Sequence, residues 1–221
     1  MSARYDGLAE WYDDYIGSTA AANFPDITDI LGPGDGLCLD LGCGTGRYLD
    51  MIRATGRTVV GLDRSDDQLR LARGRDAAPL LRSDGTALPF AGGVFDTVTA
   101  LWVSTDLDDF PGVLREAARV LRPGGMLLFY GVHPCFNGPH IENREDGALI
   151  IHPTYRRTGW HPRSPWWRDG GLRERLGMHQ LPLPDLLNAF MDAGLSLDRV
   201  CEPREDPIPR ILAIRATRDR R

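Results

Sequence analysis

The sequence predicts an α/β fold, a largely parallel sheet with helices on both faces. Three observations predict it. Apolar runs alternate with amphipathic segments from residue 36 to 132, the pattern of strands buried on both sides and joined by helical crossovers. A glycine-rich turn, Gly42-Cys43-Gly44-Thr45-Gly46, directly follows the first apolar run. The alternation resumes after residue 181 with one helical segment and two further strands.

In order, Tyr5-Asp6-Gly7-Leu8-Ala9-Glu10-Trp11-Tyr12-Asp13-Asp14-Tyr15 reads as an N-terminal helix and its lead-in, within residues 1–30. Strands are expected near 36–41, 57–62, 79–82, 94–101 and 126–132, and helices at 46–55, 65–75 and 109–121. Asp109-Phe110-Pro111 marks a helix start, with proline in the first turn. Arg122-Pro123-Gly124-Gly125 stops that helix and turns into the next strand. Leu183–Ala193 is helical and stops at Gly194; Leu195–Cys201 and Ile208–Ala216 close the sheet as antiparallel strands, seven in all. Residues 133–181 break the alternation and are rich in Pro, Gly, His, Arg and Trp. A structureless loop of that length is unusual in a compact domain, so this segment is read as a cap after the fifth strand. The whole chain, 1–221, is expected to be one domain: 1–30 an N-terminal helical segment, 31–132 the alternating core, 133–181 the cap, and 182–221 the closing helix and strands.

Hydrophobic content of 42% and charged content of 26% are those of an ordinary globular protein. No run approaches membrane-spanning length, and Met1–Asp6 lacks the apolar core of a signal peptide, so a cytoplasmic protein with no membrane partner is expected. The net charge of −5 argues against nucleic acid, whose binding leaves a basic footprint. Every basic residue is arginine, so no lysine base or Schiff-base nucleophile is available. Cys38, Cys43, Cys135 and Cys201 are scattered without a C-x-x-C pair, which excludes a zinc cluster or a redox pair.

The glycine turn carries most of the functional information. Glycine permits positive φ and close approach of a ligand to the backbone, and the helix behind it presents unpaired N–H groups and a positive dipole end. A dinucleotide site requires G-x-G-x-x-G, whereas here the third glycine comes one residue early. Asp40 precedes the turn, Asp63 ends the run Thr58-Val59-Val60-Gly61-Leu62, and Asp84 follows Pro79-Leu80-Leu81. A carboxylate at Asp63 suits the paired hydroxyls of a ribose.

Leu39–Arg47, Val60–Asp63, Ser83-Asp84-Gly85, Phe95-Asp96-Thr97-Val98 and Leu121-Arg122-Pro123-Gly124-Gly125 occur in the order found in class I S-adenosylmethionine (SAM)-dependent methyltransferases of the small-molecule type, which this chain resembles over most of its first 132 residues. The resemblance implies a Rossmann-like seven-stranded sheet and SAM as cofactor, with S-adenosylhomocysteine as product. It implies Gly42, Cys43, Gly44 and Gly46 against the amino-acid end and sugar, and Asp40 at the ammonium. Asp63 would take the ribose, Asp84 and the Gly85 N–H the adenine, and Arg64 the adenine face. Leu101 would meet the cofactor through its backbone, and Tyr5, Tyr12 and Tyr15 would belong to a lid. Each has a structural alternative: Asp40 orienting the loop, Asp63 and Asp84 capping the following helices, and the N-terminal helix simply packing on the sheet.

Methyl transfer from a sulfonium is an in-line displacement, so the protein mainly aligns and desolvates the nucleophile. All five histidines, His133, His140, His152, His161 and His179, lie in or beside the cap. Histidine suits proton transfer near neutral pH. His133, directly after the fifth strand, is the first candidate base; Tyr130 and Arg144 follow. No histidines form the close pair of a zinc site. Asp106, Asp108 and Asp109 lack the later Asp-Asn pair of magnesium-dependent relatives, so no metal is expected. Trp160, Trp166, Trp167, Phe136 and Tyr155 would line a pocket for a flat acceptor, or form the cap's own core. His133-Pro134-Cys135-Phe136, Tyr155-Arg156-x-x-Gly159-Trp160 and His179-Gln180-Leu181-Pro182-Leu183 resemble actinobacterial natural-product methyltransferases, some of which methylate indole C3 in tryptophan-containing cyclic dipeptides. The expected partner is therefore a small aromatic or heterocyclic acceptor, met by a monomer or homodimer.

Overall fold

The computed structural model describes residues 3–18, 25–75, 77–204 and 206–220. Two helices, α1 (Ala9–Ser18) and α2 (Pro25–Leu31), precede the sheet. The core then runs β1 (Leu37–Leu41), α3 (Leu49–Ala54), β2 (Thr58–Asp63), α4 (Asp66–Arg75), β3 (Leu80–Arg82), β4 (Phe95–Leu101), α5 (Phe110–Val120) and β5 (Leu121–Val132). The segment 133–181 holds two short hairpins and a single-turn helix: β6 (Ile141–Asn143) with β7 (Leu149–Ile151), β8 (Gly159–His161), α6 (Leu172–Leu176), and β9 (Met178–Gln180), which pairs with β8. The chain closes with α7 (Leu183–Asp192), β10 (Leu195–Cys201) and β11 (Ile211–Arg218).

The seven-stranded sheet has the order β10-β11-β5-β4-β1-β2-β3. β3, β2, β1, β4 and β5 are parallel, and β11 inserts antiparallel between β5 and β10. This is the Rossmann-like class I methyltransferase sheet expected from the motifs. Successive side chains of a strand point to opposite faces, and β5 shows the consequence. Leu127 and Phe129 face α5 and α7, where Phe129 lies 5.6 Å from Phe110 and 6.0 Å from Phe190, ring to ring. Leu128 and Tyr130 face the other core, which contains Ile27, Leu49 and Ile52.

Two expectations need correction. The helix read at 46–55 is only Leu49–Ala54, because positive φ at Gly42, Gly44 and Gly46 keeps the chain looped to Tyr48. A six-residue helix starting three residues beyond the last glycine does not supply the dipole expected at the turn. The helix α2 also has no counterpart in the sequence reading; Ile27, Ile30 and Leu31 seat it against the Tyr130 face. No helix among the described residues is long and apolar enough to cross a membrane.

Candidate functional site

β1 lies between β2 and β4, so the crossovers leave it in opposite directions. In open α/β sheets ligands bind at this point, beyond the carboxyl ends of the strands. A cavity of about 380 Å³ opens there. Its floor is the glycine turn. Gly42 and Cys43 donate N–H bonds to the Leu62 carbonyl (2.7 and 2.9 Å), tying the turn to β2. A Cβ on Gly42 would stand 2.3 Å from Val103 Cγ1, so only glycine fits this crossing.

Asp63 ends β2 and points into the cavity. The Gly44 N–H donates to its Oδ2 (2.9 Å) and the Ser65 N–H to its Oδ1 (2.8 Å). Burial pushes this carboxyl above its ordinary value, against those two hydrogen bonds. Gln68, on the first turns of α4, lines the same wall; it is 2% exposed and neither atom of its carboxamide has a partner among the described residues. A buried amide without a partner is costly, and a ligand with hydroxyl or carboxylate oxygens would satisfy it. Asp84 and Gly85 lie beyond the end of β3, with Arg64 between them and Asp63. Asp84 Oδ1 accepts from the Thr86 N–H (3.0 Å) and hydroxyl (2.8 Å), which with nearby Arg64 hold its carboxyl below the ordinary range. It holds a turn and caps no helix, because β3 leads to β4 with no helix between them, and Oδ2 faces Arg64 at 3.7 Å.

The other end of the cavity is built by Leu101, Trp102 and Val103 from β4 and its loop, and by Tyr5 and Tyr12 from the N-terminal segment. The two phenol rings meet edge to face at 4.9 Å. Burial, reinforced by Asp106, pushes both hydroxyls far above their ordinary value, so they stay protonated. Asp106 completes this end; Arg173 of α6 donates to its Oδ1 at 2.6 Å and to the Thr105 hydroxyl at 2.7 Å. Burial alone would lower the guanidinium's pKa, but Asp106 outweighs it and the net shift is upward. Arg173 was missed in the sequence because nothing local distinguishes it from its neighbours Arg168 and Arg175.

Some expected residues stand elsewhere. Asp40 lies beneath the turn, 1% exposed, accepting from the Thr99 hydroxyl at 2.7 Å; it orients the loop and does not line the cavity. Cys43 is buried against Gly61, and Gly46 packs on Ala72 and Leu49. Tyr15 stacks on Trp11, 5.4 Å centre to centre, away from the lining. The proton-transfer candidates are all displaced. His133 is 3% exposed, its Nδ1 accepts from the Cys135 N–H (3.1 Å) and its Nε2 meets Glu202 (3.0 Å). Burial lowers its pKa in spite of that carboxylate. Tyr130 sits in the core on the α2 face, edge-on to Trp102. Arg144 is exposed in the β6–β7 hairpin beside Asp146. No histidine lines the cavity among the described residues.

These groups fit SAM. A carboxylate for the ribose, an unpartnered amide, backbone approached through glycines and a second carboxylate at the far strand end occur in one cavity. Residues 39–129 match the family model described as "Methyltransferase domain". Curated relatives include a demethylmenaquinone methyltransferase of Corynebacterium urealyticum, 43% identical over 97 residues, which cover 44% of this chain and 41% of that protein. A malonyl-[acyl-carrier protein] O-methyltransferase of Erwinia pyrifoliae is 43% identical over 103 residues, covering 44% and 38%. The chain thus spans about two fifths of the length of these relatives. The crystal structure of a SAM-dependent methyltransferase from Mesorhizobium loti superposes with a TM-score of 0.73 at 24% identity, over 90% of this chain and 99% of that one. Residues 39–129, which carry the glycine turn, Asp63 and Asp84, are thus similar to a methyltransferase domain, and the fold is that of a SAM-dependent methyltransferase of known structure.

Proposed function

We propose that the protein transfers a methyl group from SAM to a small aromatic or heterocyclic acceptor. The observation that carries this reading is Asp63, held by the Gly44 and Ser65 N–H groups at the mouth of a glycine-floored cavity. Its remaining lone pairs accept the ribose hydroxyls. Gln68 supplies a further donor, Asp84 and Gly85 take the adenine, and Tyr5 and Tyr12 close over the methionine end. SAM, when bound, supplies a methyl group already activated on a sulfonium, which leaves its electron pair with sulfur. The chain's own part is to hold the acceptor in line and exclude water; the apolar wall of Leu101, Trp102 and Val103 suits a flat ring.

The cap motifs make the indole of a tryptophan-containing cyclic dipeptide the first acceptor to assay, with phenols and amines beside it. Calorimetry should show SAM binding, and Asp63→Ala should weaken it by about 1.5–3 kcal/mol, as expected for lost hydrogen bonds to a charged group. Unchanged affinity in that variant would remove Asp63 from the site. A labelled-methyl assay over the panel, with product identification, tests the transfer itself.

A further inference from the structure

We infer that Asp106 is the residue that anchors the acceptor, and that the acceptor reaches it through an N–H group. The inference rests on the methyl-transfer reading and specifies its substrate. With His133, Tyr130 and Arg144 outside the cavity, the ionisable groups at its β4 end are Tyr5, Tyr12, Asp106, Asp108 and Arg4. The phenols are held protonated and act as donors. Arg4 is committed: it donates to the Asp106 carbonyl (2.8 Å) and to Asp108 (2.5 Å), and its guanidinium lies 3.7 Å over the Trp160 ring. Asp106 remains, its side chain mostly buried and fixed in direction by Arg173 on Oδ1. The Tyr5 hydroxyl also donates to this carboxylate, and Oδ2 has a long contact of 3.5 Å with the Thr105 hydroxyl.

A carboxylate held by a guanidinium and a phenol at one end of the cavity keeps lone pairs for a further donor and repels an anion. Asp63, Asp84, Asp106 and Asp108 outnumber the cavity's two cations, Arg4 and Arg64, so a carboxylate-bearing acceptor is disfavoured there. A nitrogen acceptor also fits the charge change of the reaction. As the nitrogen, or a ring carbon conjugated with it, bonds the methyl carbon, positive charge develops on the nitrogen. Its proton then passes to Asp106 Oδ2 and on to solvent, leaving a neutral methylated product. A positively charged nitrogen gives up its proton readily.

The test uses the full chain and matched acceptors: indole against 1-methylindole, and secondary against tertiary amines, with labelled SAM. The N–H partner of each pair should be turned over at least about tenfold faster. Equal rates, or turnover of carboxylate acceptors with none of the N–H compounds, would overturn the inference. Asp106→Asn should lower kcat about a hundredfold and leave SAM affinity by calorimetry within about threefold, with Asp106→Glu recovering part of the rate. Full turnover by Asp106→Asn, or a fall in SAM affinity large enough to explain its slower rate, would also overturn it. The acceptor pairs need no variant, so misfolding of Asp106→Asn leaves the test intact. SAM affinity of the unmodified chain judges the cofactor site separately.

Discussion

At the scale of single residues, chemistry and environment pull apart around the glycine turn. Asp40 and Asp63 lie close together, yet only Asp63 reaches the cavity. Asp40 is enclosed, one oxygen without a partner among the described residues, and burial pushes its carboxyl up to about 7. The sign of its effect on stability follows from linkage. Between the ordinary carboxylate range and pH 7, the folded chain holds a proton there that the unfolded chain has released. Stability from this group therefore falls as pH rises through that window, and the full cost of an ionised buried carboxylate is present above 7. Asp40→Asn should accordingly raise the melting temperature more at pH 8 than at pH 4.5; equal gains at both would show that Asp40 is not the titrating group. Asp63 was legible in the sequence because it ends an apolar run at a fixed place after the turn. His133 misled for an equally local reason. It follows β5 directly, but a strand's last side chains alternate between faces, and Glu202, distant in sequence, decides which way the ring is held.

At the scale of elements, α1 is tied to the glycine turn through one carboxylate. Asp13 Oδ1 accepts from the Thr45 hydroxyl at 2.6 Å and from Arg47 Nε at 2.9 Å, and its Oδ2 accepts from Arg75 at 2.6 Å. Against its partial burial, the bonds from Arg75 and Thr45 hold this carboxyl below the ordinary range. The cap reaches α1 from the other side, with Arg175 of α6 lying 4.1 Å over Trp11. The N-terminal helix is thus clamped from both sides over Tyr5 and Tyr12. Asp13→Ala should destabilise the chain by about 1–2 kcal/mol and speed SAM dissociation, measured by denaturant unfolding and stopped-flow displacement. An unchanged off-rate would show that α1 does not gate the cofactor. The Tyr-Asp spacing made this helix readable as a lid. The partners of Asp13 were not readable, because Thr45, Arg47 and Arg75 come from other elements.

At the scale of the whole molecule, the cavity is a product of assembly: strand ends from β1, β2, β3 and β4 form its floor, and the N-terminal segment and the β4–α5 loop cover it, with α6 behind. A ligand that binds only this assembled form stabilises it. SAM at a hundredfold excess over its Kd should add about 2.7 kcal/mol, raising the melting temperature by about 5–10 °C for a chain of this size, whereas NAD should leave it unchanged. A shift with NAD and none with SAM in thermal melts would reverse the cofactor assignment. The core elements and the strand-end carboxylates of the cavity, Asp63 and Asp84, were written in the sequence alone, because strand periodicity, turn glycines and strand-end acids are local patterns. The β4 end of the cavity was decided only by the tertiary structure. Tyr5, Asp106 and Arg173 are far apart along the chain, and their burial, charge and direction arise only when lid, loop and cap pack against one another.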